Sequence, residues 1–166
     1  LIQCLLVVLL LLLDSLQEEP IKRFMLPDTL GILYSSQVSE FIKETLARYP
    51  NLHFDFHAHN DYGLATANTL IAVEAGIKGV HCTVNGMGER AGNAPMASVV
   101  AVINDFFKDE VEIQVKETSL YSVSKIIETF SGVRIPSNKP IVGDNVFTQT
   151  AGIHADGDNK NNLYFN

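Results

Sequence analysis

The sequence predicts an α/β fold and, within that class, part of a (β/α)8 TIM barrel: about three strand-then-helix units followed by a helical and irregular extension. Three observations carry this reading. Short apolar strands alternate with amphipathic helices at a spacing that calls for parallel strands joined by helical crossovers. Polar residues fall at the carboxyl ends of successive strands, namely Asp28 and Thr29, then His57 and His59, then Asn85. Barrel enzymes gather their chemistry on one such rim, whereas a doubly wound sheet usually binds at a single switch point. The chain of 166 residues, 46% hydrophobic and 19% charged, is also long enough to bury a sizeable core.

The elements follow in order. Ile21 to Leu26 is an apolar run suited to a buried strand, ending in the polar turn Pro27-Asp28-Thr29. Ser36 can cap the next helix, where Val38, Phe41, Ile42, Leu46 and Tyr49 recur at spacings of three and four, and Pro50-Asn51 stops it. Leu52 to Phe56 is the second strand, followed by a helix from Leu64 through Ala67, Ile71 and Ala75 to Gly76. Gly79 to Val84 is the third strand. Pro95 then sits where a first helical residue is favoured, ahead of the apolar stripe Met96, Val99, Val100, Ile103 and Phe107. A last helix, capped by Thr118, carries Leu120, Val123, Ile126, Ile127 and Phe130, and SGVRIPSNKP is a turn-rich connector. The expected organisation is therefore a barrel portion over residues 1–130 and the beginning of a post-barrel region over 131–166.

The leucine-rich start, LIQCLLVVLLLLL, has no basic residues before it and no small-residue cleavage site after it, and acids end it short of the roughly 20 apolar residues a membrane span needs. It is expected to be a buried helix of a larger structure. A net charge of -7 with no basic run argues against nucleic acid as partner. Two cysteines, Cys4 and Cys82, are too few for a disulfide scaffold, which suits a reducing cytoplasm.

The chemistry concentrates in Phe54 to Asn93. His57 and His59 lie at i and i+2, so on a continuing strand both side chains leave one face, as two imidazoles sharing a metal must. An isolated His-x-His is more often one core histidine and one hydrogen-bonded neighbour. The strand-end position and the adjoining Asn60-Asp61 tilt the reading toward a divalent ion such as Mg, Mn or Zn. His53 and His81 read as structural. The segment Asn85-Gly86-Met87-Gly88-Glu89-Arg90-Ala91-Gly92-Asn93 precedes a helix, so it reads either as a tight turn with a Glu89–Arg90 surface pair or as a loop whose backbone approaches an anionic ligand. His154, among glycines and acids, is a candidate proton acceptor or an exposed histidine. Asp28 and Thr29 are either a strand-end turn or substrate hydrogen-bonders.

Taken together, HAHNDYGLATANT, VNGMGERAGNAP and IPSNKPIVGDNVFTQTAGIHADGDNKN resemble the 2-isopropylmalate synthase group of acyltransferases, which includes the homocitrate and citramalate synthases. The resemblance runs from about Ile21 to the end. It implies a barrel enzyme that condenses acetyl-CoA with a 2-oxo acid in a Claisen-type reaction, most readily 2-oxoisovalerate in leucine biosynthesis, and works as a homodimer. His57, His59 and Asn93 match its metal site, Thr29 a substrate-contacting threonine, and Asn85, Gly86, Gly88, Glu89 and Arg90 the segment associated with acetyl-CoA. His154 matches a histidine that helps remove the acetyl proton. The family's first-strand Arg-Asp-Gly motif, with a metal-binding aspartate, has no counterpart here, so the isolated chain is expected to be inactive and to bind metal weakly. A 3-hydroxy-3-methylglutaryl-CoA lyase is disfavoured because its glycine-rich loop carries a reactive cysteine, and Asn85 to Asn93 has none. A non-catalytic remnant acting as a binding module is the remaining alternative.

Overall fold

A computed structural model describes residues 2–146 and 148, with side chains described from residue 7 onward. The three expected strands form one parallel sheet in the order β1 (Phe24–Asp28), β2 (Phe54–Ala58) and β3 (Gly79–His81). Helix α1 (Ile2–Leu16) precedes the sheet, α2 (Ser35–Arg48) and α3 (Ala65–Glu74) make the two crossovers, and α4 (Met96–Phe106) and α5 (Leu120–Ser131) follow β3. Parallel neighbours joined through helices are the repeating unit of a barrel wall.

Burial shows why these residues form these elements. Leu26, Phe54, Phe56 and Ala58 on the sheet meet Val38 and Ile42 of α2, Ala65 and Ala72 of α3, and Val99 and Ile103 of α4 in one core. Small residues on α3 let it lie close to the sheet. Asn68, though buried, has both ends of its amide bonded: Nδ2 donates to the Leu33 carbonyl at 2.8 Å, and Oδ1 accepts from Ser35 at 3.1 Å. A second, smaller core of Ala97, Val100, Leu120 and Val142 joins α5 and the segment after it to α4.

Several boundaries differ from expectation, for one reason. Strand ends are set by pairing with the neighbouring strand, so polar rim residues that hydropathy assigns to turns belong to the sheet. β1 and β2 each extend to Asp28 and Ala58 in register, which brings Pro27 and His57 inside the sheet. Pro27 is tolerated because β1 has only one partner strand among the described residues. β3 is shorter than expected. After His81 the chain turns back on itself, with Thr83 N–H donating to Ala94 O at 3.0 Å and Met96 N–H to Thr83 O at 2.9 Å, and Val84–Gly86 forms a 3-10 turn. Neither expected cap acts: α2 starts at Ser35, where Gln37 accepts the Tyr34 N–H, and a 3-10 turn over Glu117–Ser119 runs into α5.

Helix α1 is only partly covered. Leu13 is buried and Leu9 and Leu10 pack on the core, while Val7, Val8, Leu11 and Leu12 are exposed. Its carboxyl end is held by Tyr49, whose hydroxyl donates to Leu10 O at 3.0 Å and contacts Asp14 Oδ1 at 2.7 Å, and by the Arg48–Asp14 ion pair. Among the described residues no helix is long and apolar enough to cross a membrane. Replacing the fully buried Phe56 by Ala should cost roughly 3–5 kcal/mol through lost transfer energy and a residual cavity, read as a fall in the urea unfolding midpoint.

Candidate functional site

Alternation along β2 selects the side chains that reach the face away from the helices. Phe54, Phe56 and Ala58 are fully buried in the core, so Asp55 and His57 project from the other side. His59 lies one residue past the strand and is held by backbone contacts on both sides. Its N–H donates to Asp28 O at 3.2 Å, and it bridges antiparallel to Asn93, while Asn60 N–H donates to Gly92 O at 2.9 Å. The histidine segment is thus clasped between the loop after β1 and the glycine-rich loop after β3.

The two imidazoles meet edge to face, with centroids 4.9 Å apart at 84° and Nε2 atoms 3.3 Å apart. Among the described residues both Nδ1 atoms are buried without a partner. The Nε2 separation falls between the roughly 3.0 and 3.4 Å edges of octahedral and tetrahedral shells built on metal–nitrogen bonds of about 2.1 Å. Burial first, and then the neighbouring His59 and His81, push the His57 pKa below the ordinary histidine value, which keeps its lone pair free. Asn93 is the further candidate. Its Nδ2 donates to Met87 O at 3.0 Å, and among the described residues its Oδ1 is buried and unbonded. Gly88 permits this arrangement, since a Cβ there would lie 2.2 Å from Asn93 Nδ2. Two imidazoles and an amide oxygen suit a divalent cation. Among the described residues no set of three or more His, Cys, Asp or Glu side chains is grouped to hold one.

The other candidate residues fall into place around this centre. Asp28 is buried on the core face, where its carboxylate accepts the N–H groups of Ile32 at 3.1 Å and Leu33 at 3.2 Å, so it builds the turn. Thr29 is exposed at the rim beside it. Asn85 adopts φ +59, its Nδ2 donating to Ser124 O at 3.0 Å and its Oδ1 buried and unbonded. Gly86 packs against the Asn93 carbonyl, while Glu89 and Arg90 pair at 2.7 Å on the outer side of the loop. His154 lies outside the described residues. His53 and His81 both bond to the buried Asp55, at 2.9 and 3.4 Å, one layer below His57.

Sequence reading missed the work of Asn60 and Asp61. Asn60 Oδ1 accepts the Ala65 N–H at 3.1 Å and caps α3, a role signalled by an Asn a few residues before a helical run. Asp61 takes both prongs of the Arg90 guanidinium, and nothing in the spacing of residues 61 and 90 announces that pair.

Cys82 lies where the chain leaves β3, outside the glycine-rich loop, and burial pushes its pKa up to about 11. On the order of one thiol in a thousand is then ionised at pH 8, against about a quarter for a free cysteine. In a Cys4→Ser background, Cys82 should therefore react with a disulfide reagent at pH 8 roughly 100-fold more slowly in the native protein than in the urea-unfolded one.

This geometry has known counterparts. The family model described as HMGL-like matches residues 7–127. The homocitrate synthase of Saccharolobus solfataricus is 48% identical over 135 residues, covering 81% of this chain and 29% of that protein. The homocitrate synthase of Sulfolobus acidocaldarius is 40% identical over 149 residues, covering 90% of this chain and 31% of that protein. The chain thus spans less than a third of the length of these relatives. Among solved structures, the HMG-CoA lyase of Bacillus subtilis superposes with a TM-score of 0.70 at 28% identity, over 80% of this chain and 46% of that one. An Acinetobacter baumannii HMG-CoA lyase in complex with coenzyme A and 3-methylmalate gives the same score at 21% identity, over 86% and 48%, a likeness of fold. With its parallel strands, its helical crossovers and the matched residues 7–127, the chain belongs to the HMGL-like family, as part of its barrel.

Proposed function

We propose that the complete protein condenses acetyl-CoA with a 2-oxo acid, and that the acid is 2-oxoglutarate, giving homocitrate. The observation that carries the reaction class is the convergence of the His57 and His59 Nε2 atoms, 3.3 Å apart, on a segment whose backbone bridges to Asn93. The choice of acid is supported by the homocitrate synthases at 40 to 48% identity. The 2-oxoisovalerate expectation from sequence gives way to it.

His57, His59 and Asn93 would hold a divalent metal ion. When bound, the cation polarises the carbonyl of the 2-oxo acid as a Lewis acid. The chain's own residues do the rest. The Thr29 hydroxyl, exposed at the end of β1, is placed to hydrogen-bond the acid and orient its carbonyl. The loop from Asn85 to Glu89 forms the wall on the acetyl-CoA side. His154 takes the proton from the acetyl methyl carbon, whose electron pair then forms the new carbon–carbon bond, and hydrolysis of the thioester releases CoA. The loop from Asn85 to Asn93 carries no cysteine, and the half-buried Cys82 precedes it, which disfavours the lyase reading.

The test is release of CoA by the complete protein with 2-oxoglutarate, 2-oxoisovalerate and pyruvate, each with added Mg or Mn. The expected outcome is a kcat/KM at least about 10-fold higher for 2-oxoglutarate, a usual size for discrimination by a substrate side group. Preference for 2-oxoisovalerate would restore the isopropylmalate reading, and cleavage of 3-hydroxy-3-methylglutaryl-CoA without condensation would favour the lyase. His57→Ala should lower kcat/KM by at least about 100-fold, more than the loss of an outer-sphere partner costs.

A further inference from the structure

Arg90 sits on the glycine-rich loop, where the family resemblance would have it meet acetyl-CoA, yet its guanidinium is turned toward the protein. Nε donates to Asp61 Oδ1 at 2.8 Å and Nη2 to Asp61 Oδ2 at 3.1 Å, the two-pronged arrangement that fixes a carboxylate in orientation as well as distance. Nη2 also donates to the Thr29 carbonyl at 2.6 Å, and Nη1 to Glu89 at 2.7 Å. One side chain therefore joins the loops after β1, β2 and β3, which carry Thr29, the His57–His59 pair and Asn93.

Two independent features show that this contact is built in. Arg90 holds φ +54, a left-handed conformation that non-glycine residues rarely adopt, and here it accompanies a side chain aimed at Asp61. On the other side, Gly31 of the first loop lies so close to Asp61 that a Cβ would stand 2.9 Å from the Asp61 nitrogen and the His59 carbonyl and 3.0 Å from Asp61 Oδ2.

We infer that Arg90 and Asp61 form a clamp that sets the distance between Thr29 and the metal-binding histidines, and that Arg90 acts as a positioning residue for the 2-oxo acid and makes no contact with acetyl-CoA. This rests on the proposed condensation for its kinetic readout. Loss of the clamp lets the Thr29 loop and the histidine segment drift apart, so the 2-oxo acid is held in poorer register while the acetyl-CoA wall is untouched.

The experiment uses the complete protein with Arg90→Gln, Arg90→Lys, Asp61→Asn and the Arg90→Gln/Asp61→Asn double variant. The expected result is a KM for the 2-oxo acid raised about 10-fold in each Arg90→Gln and Asp61→Asn single variant, an unchanged KM for acetyl-CoA, and a double variant no worse than either single one. Arg90→Lys keeps the charge but loses the fork and should recover only part of the loss. If Arg90→Gln does not fold, Arg90→Lys replaces it in the cycle. A raised acetyl-CoA KM, additive effects, or a wild-type 2-oxo acid KM in Asp61→Asn would each overturn the clamp. A wild-type protein that condenses none of the acids sinks the proposed function instead. The clamp is then read from Co(II) absorption, which should report equally weakened binding in both single variants and the double variant, and wild-type binding in all of them would overturn it.

Discussion

Everything at the rim depends on the two-residue alternation of β2. The strand is central in the described sheet, so its register is fixed from both sides, by β1 and by β3. Phe54, Phe56 and Ala58 lock one face under the helices, and that alone commits Asp55 and His57 to the other face. A slip of one residue would bury the imidazoles and expose two phenylalanines, at a cost of several kcal/mol in lost apolar burial. The site's geometry is therefore secured by hydrophobic packing on the opposite side of the strand from the chemistry.

The distribution of unsatisfied polar atoms separates scaffold from site. Away from the rim, buried polar groups such as Asn68 and Thr45 are paired. Among the described residues, most of the buried side-chain atoms without a partner lie instead on His57, His59, Thr83, Asn85 and Asn93, at the end of β2 and on the segment after β3, and Thr69 on α3 is the exception. Each such atom costs about 1–3 kcal/mol when left dry. That concentration coincides with the segment for which metal binding is proposed.

Sequence patterning made the fold class legible because hydrophobic alternation and helix periodicity are local signals. Val38, Ile42, Val99 and Ile103 are core residues that their spacing alone identifies. The His-x-His pair was legible for the same reason, since strand geometry converts a spacing of two into a shared face. What escaped was whatever depends on contacts between distant segments. The extension of β1 through Pro27 to Asp28 follows from pairing with β2, and the Arg90–Asp61 pair joins residues 29 apart on separate loops. The glycines around Asn93 were readable as close approach, but the partner they approach was not: Gly88 makes room for the Asn93 amide.

The five residues from His57 to Asp61 show how tightly assignments can be stacked along a chain. In turn they carry one imidazole of the proposed metal site, a core side chain, the second imidazole, the acceptor for the first N–H of α3 and one half of an ion pair. Each assignment depends on the direction its Cα–Cβ bond takes, and that direction is inherited from the residue before. Point substitutions here damage one function at a time, but inserting or deleting a single residue rotates all five at once. Such length changes are expected to be absent from functional descendants of this segment.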